Sequence, residues 1–114
     1  MIDREKFNDL FTQLDKEIVK ELIDIFLSEF DERFRKLRKN VEEKDFEQLR
    51  FNAHSLKGVI AYFVDPVTIE LSGRLDRMAK NNTTEGLDEV YRELEKNSVR
   101  LSEELKIISK DLTS

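Results

Sequence analysis

The chain has 114 residues, of which 39% are apolar and 39% charged, with three glycines and one proline, a composition typical of one compact domain of amphipathic helices. Its lack of cysteine excludes disulfides, thiolate nucleophiles and cysteine-ligated metal sites, and its net charge of −5 disfavours binding to nucleic acid. The N-terminal segment lacks the apolar stretch of a signal peptide, and no apolar run approaches the roughly 20 residues that span a bilayer. We therefore expect a cytoplasmic protein that binds neither nucleic acid nor membrane.

Two helices are predicted in the first part of the chain, because Asp3 and Asp15 are good N-cap residues and each precedes apolar residues at helical spacing. The first is a short helix that we expect to act as a lid, with the apolar residues Phe7, Leu10, Phe11 and Leu14. The second runs from Asp15 to about Asn40 or Lys44. Its apolar stripe consists of Val19, Leu22, Phe26, Phe30, Phe34, Leu37 and Val41.

A third helix is predicted to begin near Asp45, with apolar residues that alternate in steps of three and four and should face the core. The segment Val64-Asp65-Pro66 ends it and starts the fourth helix, because Asp suits the N-cap and Pro suits the first helical position. The core-facing residues of the third helix are Phe46, Leu49, Ala53, Leu56, Ile60 and Phe63, and those of the fourth are Leu71, Leu75 and Met78.

The last helix follows the polar segment 81–86, in which Thr83 or Thr84 is the expected N-cap. Long amphipathic helices joined by short connections bury their apolar stripes on one another. We therefore predict an all-α fold, an antiparallel up-down-up-down four-helix bundle with a short extra N-terminal helix, formed by residues 1–114 as a single domain. A continuous coiled coil is disfavoured, since Pro66 and the polar turn would interrupt it. The apolar residues of the last helix are Leu87, Val90, Tyr91, Leu94, Leu101, Leu105, Ile108 and Leu112.

His54, the only histidine, is the candidate nucleophile. At about 100° per residue it lies about 130° from the centre of the core-facing seam and should face solvent, with Arg50 and Lys57 one turn away on either side. Imidazole, with an unperturbed pKa of about 6.5, is largely unprotonated near neutral pH and can accept a phosphoryl group. A lysine one turn away can neutralise charge on the phosphoryl oxygens. These residues therefore suit phosphoryl acceptance at His54.

A candidate docking patch lies on the outer surface of the same helix, at Phe51, Gly58, Ala61 and Tyr62. Glycine inside a helix costs about 1 kcal/mol relative to alanine, and the close approach of another surface is one reason to retain it. Phe51 and Tyr62 would supply apolar contacts. Two other interpretations stay open: Gly58 makes room for a neighbouring helix, or Phe51 packs under the leading helix.

The run Ala53-His54-Ser55-Leu56-Lys57-Gly58, followed by Phe63 and later by Leu71 and Leu75-Asp76, resembles histidine-containing phosphotransfer (HPt) domains. The resemblance covers nearly the whole chain. It implies that His54 is phosphorylated in a two-component phosphorelay, that Lys57 lies beside the phosphoryl group and that Gly58 is the point of close approach for a receiver domain. The implied partners are response-regulator receiver domains, a hybrid histidine kinase, or both.

The sequence departs from the family pattern at three positions. Val59 stands where the family often has Ser or Ala, Val64 where Gly commonly follows the aromatic residue, and Asp76 where Glu is usual. The two valines are bulkier than the usual residues and bear on the shape of the helix end and on which receivers dock. The polar side chain that often holds the imidazole in this family is not identifiable from the sequence.

The chain carries neither a Gly-rich phosphate loop nor a second histidine for a metal site. We therefore expect a monomeric phosphocarrier without cofactor or metal of its own, to which the partner brings nucleotide and Mg²⁺. Two other functions stay open: the substrate domain of a chemotaxis-type histidine kinase, and a non-catalytic helical interaction module in which His54 has no role.

Overall fold

Five α-helices form the protein in a computed structural model, which describes residues 1–12 and 14–113. No strand occurs in this part of the chain. A single 3₁₀ turn, Ala61–Phe63, separates the third and fourth helices. The helices are α1 (Arg4–Phe11), α2 (Lys16–Glu43), α3 (Phe46–Ile60), α4 (Pro66–Lys80) and α5 (Leu87–Thr113).

Aspartates determine where the first four helices begin. In each case the carboxylate preceding the helix accepts a hydrogen bond from a backbone N–H in the first turn, which satisfies a donor that the helix itself leaves unpaired. The pairs are Asp3 with Lys6, Asp15 with Glu17, Asp45 with Gln48, and Asp65 with Thr68.

The start of α5 differs from the prediction. The helix begins at Leu87, directly after Gly86, which has a φ of 76°. Neither Thr83 nor Thr84 is therefore its N-cap. Thr84 instead accepts a backbone hydrogen bond of 3.2 Å from Leu87 across a turn.

The long helices pack in the order predicted for an antiparallel bundle. Helix α2 contacts α3 and α5, and α4 contacts α3 and α5, so that four helices enclose one core. The predicted up-down-up-down four-helix bundle with a short extra N-terminal helix is confirmed. Fully buried side chains fill its centre, among them Ile23, Phe26, Leu37, Leu49, Leu56, Ile60, Phe63, Leu75, Leu94, Leu101 and Leu105. None of the described helices is both long and apolar enough to cross a membrane.

Helix α1 covers the end of the bundle where α3 leads into α4. The Asp3 N–H donates to the Val64 carbonyl at 2.8 Å, and the Ile2 N–H donates to the Glu104 carboxylate on α5 at 3.0 Å. Only Phe7 and Phe11 of the four predicted apolar residues of α1 are buried. Leu10 and Leu14 are exposed, because Leu10 lies about 100° around the helix from Phe11 and Leu14 lies beyond the end of the helix at Phe11.

The buried face of α4 is more polar than the sequence suggested. Leu75 is buried as predicted, whereas Leu71 and Met78 are only half-buried. Helix α4 is rotated so that a row of smaller or polar residues faces α3 and α5 instead. This row comprises Thr68, Ser72, Gly73, Asp76 and Ala79. The rotation brings a carboxylate against α3, and this carboxylate organises the site described below.

Candidate functional site

His54 lies in the middle of α3 and its side chain is 68% exposed, as its helical position predicts. Two side-chain contacts hold α3 against α2 on either side of this position. Asn52 donates a 2.8 Å hydrogen bond to Asn40, and Arg33 donates a 3.1 Å hydrogen bond to Ser55. The backbone that carries the imidazole is therefore held in register with its neighbour, while the ring itself extends into solvent.

The imidazole faces a buried carboxylate from α4. The Nδ1 atom of His54 lies 3.6 Å from Oδ2 of Asp76, whose side chain is only 1% exposed. A carboxylate on the Nδ1 side favours the tautomer with the proton on Nδ1 and leaves the lone pair on Nε2. Because the two ring nitrogens lie on opposite sides of the imidazole, Nε2 is the atom that an incoming group can reach.

Two lysines share the same carboxylate oxygen. The Nζ atoms of Lys57, from α3, and Lys80, from α4, lie 3.5 Å and 3.2 Å from Oδ2 of Asp76. Burial raises the pKa of Asp76, but hydrogen bonds and charge from Lys80 and Lys57 outweigh burial and lower this pKa below its ordinary value. Asp76 is therefore an anion at neutral pH, and its other oxygen, Oδ1, has no hydrogen-bond partner among the described residues.

Asp76 and Lys80 are the site residues that sequence reasoning missed. The sequence places Asp76 in the family resemblance and marks it as a departure from the usual Glu, but it does not identify the polar side chain that holds the imidazole. The spacing of Asp76 and Lys80 is a signal for an i,i+4 ion pair. That spacing does not reveal which face of α4 turns toward His54.

An open groove of about 700 Å³ runs beside the imidazole toward the end of α4. Arg50 and Phe51 line it from α3, and Lys80 lines it from α4. Phe51 is 72% exposed, so the interpretation that it packs under α1 is wrong, and α1 instead lies at the end of the bundle near Val64.

The remaining residues of the candidate docking patch are also exposed. Gly58 lies in α3, whereas Ala61 and Tyr62 belong to the 3₁₀ turn, and Tyr62 is 53% exposed. A methyl group at Gly58 would meet no other described part of the chain within 4 Å. The interpretation that Gly58 makes room for a neighbouring helix is therefore wrong, and open solvent lies over its backbone.

The helix end that follows is strained at one residue. Val64 has a φ of 54° and a ψ of 45°, the left-handed region, in which a β-branched side chain is crowded. Glycine, which commonly stands at this position in HPt domains, adopts this conformation without strain. The valine at position 64 therefore carries a strain that the usual residue would not. Val59, the other bulky departure, is half-buried beside the core.

Comparisons with known proteins bear on the family and the fold. The family model described as Hpt domain matches residues 21–106. The fold is similar to that in the crystal structure of histidine-containing phosphotransfer protein B (HptB) from Pseudomonas aeruginosa PAO1, with a TM-score of 0.85, 20% identity, and coverage of 96% of this chain and 95% of that one.

A curated relative with a described role is also similar. The chain is 28% identical over 99 residues to the phosphorelay intermediate protein rdeA of Dictyostelium discoideum. The aligned segment covers 87% of this chain and 38% of the relative, so the chain spans well under half of that relative's length.

Proposed function

Because the chain belongs to the Hpt domain family, we propose that it is a phosphorelay intermediate in which His54 accepts a phosphoryl group from a receiver-domain aspartate and passes it to another receiver. One observation carries the proposal: an exposed imidazole has Nδ1 3.6 Å from a buried carboxylate, which leaves Nε2 on the opposite side of the ring. The proposed domain comprises residues 1–114.

The transfer step follows from this arrangement. The Nε2 lone pair attacks phosphorus, the N–P bond forms, and the bond between phosphorus and the aspartyl oxygen breaks, which releases the receiver's carboxylate. The Nδ1 proton stays in place, so the phosphorylated ring carries positive charge beside the Asp76 anion. Passing the group to a second receiver reverses each step, and Asp76 acts as a positioning residue in both directions.

Lys57 is the candidate for charge stabilisation at the phosphoryl group. It lies one turn from His54, and its side chain is 46% exposed. Phosphoryl transfer depends chiefly on positioning and on neutralising charge on the equatorial oxygens, which an ammonium group at this place can do. Its contact with Asp76 holds it on the correct side of the ring before a phosphoryl group arrives.

The exposed face of α3 is the proposed receiver-docking surface. Open space over the Gly58 backbone lets another protein approach closely, and the exposed aromatic rings of Phe51 and Tyr62 suit the apolar part of an interface. Ala61 is exposed on the same 3₁₀ turn as Tyr62, and Arg50 borders the groove beside His54.

The proposal assigns different parts of the chemistry to this chain and to its partner. The chain acts as a phosphocarrier, and the receiver or kinase supplies the Mg²⁺ and, where needed, the nucleotide. Its partners are response-regulator receiver domains, a hybrid histidine kinase, or both. We further propose that it works as a monomer in the cytoplasm.

Incubation with receiver domains that carry labelled aspartyl phosphate tests the proposal. We expect acid-labile, base-stable label on the wild-type chain and none on the His54→Gln variant, which should keep its helical circular dichroism because an outward ring contributes little to packing. A complex that forms without label would instead indicate a non-catalytic interaction module. Label that enters only from ATP and a kinase domain would indicate the substrate domain of a chemotaxis-type kinase.

A further inference from the structure

Lys80 reaches the phosphoryl site from a different helix than Lys57. It is the last residue of α4, its side chain is 49% exposed, and it lines the same groove as His54. Its Nζ lies 3.2 Å from Oδ2 of Asp76, slightly closer than the Nζ of Lys57 at 3.5 Å. An ammonium group on a half-exposed side chain that lines the groove can turn toward a new anion without unfolding any part of the helix.

The net charge of the site indicates a role for Lys80. In the resting state one buried carboxylate, Asp76, is accompanied by two lysines, Lys57 and Lys80, so the cluster carries one excess positive charge. A phosphoryl group on His54 adds a charge of about −1.5 to −2 within reach of the Asp76 anion. Since the phosphorylated ring itself carries one positive charge, the phosphorylated cluster is close to neutral with both lysines, whereas with Lys57 alone it holds up to about one uncompensated negative charge.

We propose that Lys80 is a second catalytic cation, which contacts the phosphoryl oxygens from the α4 side of the groove while Lys57 contacts them from the α3 side. This inference rests on the proposed function. Ion pairs with Asp76 hold both ammonium groups beside the imidazole, and the arriving phosphoryl group attracts them away from Oδ2. Both lysines keep their protons throughout, and neither forms a covalent bond.

A small phosphoryl donor tests this inference without a cognate receiver. Wild type and variants are incubated with phosphoramidate, and phosphohistidine is followed by gel mobility and ³¹P NMR. We expect Lys80→Ala to slow phosphorylation about tenfold, and Lys80→Arg to retain most of the rate because it keeps the charge. Arg77→Ala is the matched control, since Arg77 is exposed in the last turn of α4 but does not line the groove, and it should phosphorylate at the wild-type rate.

A double mutant separates direct contact from an effect through Asp76. If Lys80 touches the phosphoryl group, Lys80→Ala also slows phosphorylation in the Asp76→Asn background. If Lys80 only neutralises Asp76, the loss disappears in that background, and the inference is overturned.

A pH titration of the phosphohistidine ³¹P signal is a second readout, and it does not require the Asp76 variant to fold. A cation beside the phosphoryl group favours its dianion, so Lys80→Ala should raise the pH midpoint of the phosphohistidine ³¹P shift. An unchanged midpoint together with a wild-type rate overturns the role of Lys80 and leaves the proposed function standing. A wild-type chain that takes label neither from phosphoramidate nor from any receiver overturns both.

Discussion

Gly58→Ala should make the protein more stable while making its docking surface worse. The added methyl group meets no other described part of the chain within 4 Å, so the substitution introduces neither a clash nor a buried contact. What remains is the preference for alanine in a helix, worth about 0.5–1 kcal/mol. Unfolding entropy is about 2.1 cal/mol/K per residue. For a chain of 114 residues, this gain in the free energy of unfolding therefore corresponds to a rise of about 2–4 °C in Tm.

Two assays check the two halves of this prediction. Thermal unfolding followed by circular dichroism measures the Tm, and transfer from a phosphorylated receiver measures docking. We expect a moderate loss of transfer rate in Gly58→Ala and at least about a tenfold loss in Gly58→Met, whose side chain extends over the same backbone.

The control is Gly73→Ala on α4. Gly73 is buried, and its added Cβ would make ordinary contact, at 3.4 Å, with the flexible end of Arg77. This variant should leave transfer unchanged. Wild-type transfer in Gly58→Met would refute the role of Gly58 as the point of close approach, and a lower Tm in Gly58→Ala would refute the reasoning about open space.

Three further substitutions test separate parts of the structure. Lys57→Ala should slow transfer from a receiver without abolishing it, and unchanged single-turnover kinetics would contradict its assigned role. Val64→Gly should raise the free energy of unfolding, measured in urea, by about 1 kcal/mol. The reason is that relief of the left-handed backbone strain, worth about 1–3 kcal/mol, exceeds the packing energy lost with one half-buried valine side chain. A free energy of unfolding below that of wild type would show that the lost packing dominates. Tyr91→Phe should lower the free energy of unfolding by about 1–2 kcal/mol, since the phenol has one proton to donate and its oxygen lies 3.0 Å from the Phe34 carbonyl and 2.8 Å from the Glu95 carboxylate. Burial and Glu95 raise the pKa of Tyr91, so wild type should lose stability as pH rises above about 10, where the unfolded chain ionises first, and Tyr91→Phe should lose less.

The helices were predictable because their signals are local. An aspartate before an apolar run identifies a helix start from a few neighbouring residues, and Asp15, Asp45 and Asp65 all act as predicted. The exposure of His54 follows equally from its angular distance to the core-facing residues of its own helix. Gly86 shows the limit of local signals, since a turn in the polar segment displaced the start of α5 beyond both candidate threonines.

The cluster around Asp76 depends on how α4 is rotated relative to α3, which no pattern within α4 reports. An aspartate next to Leu75 is normally assigned to the solvated face, because a charged residue is rarely buried without a partner. Here the partners come from both helices, Lys57 on α3 and Lys80 on α4, so the burial of Asp76 becomes understandable only once the two helices are packed.

The 68% exposure of the His54 side chain has a consequence for the direction of phosphoryl flow. Since the ring contributes almost nothing to the core, attaching a phosphoryl group neither breaks nor creates buried packing, and the bundle should stay folded in either form. As an intermediate, the proposed carrier leaves the equilibrium between donor and acceptor unchanged, and the charges around His54 affect only how much of the phosphoryl group rests on the carrier. Which way the group moves is decided by the relative energies of the two aspartyl phosphates and by the concentrations of the proteins that bear them.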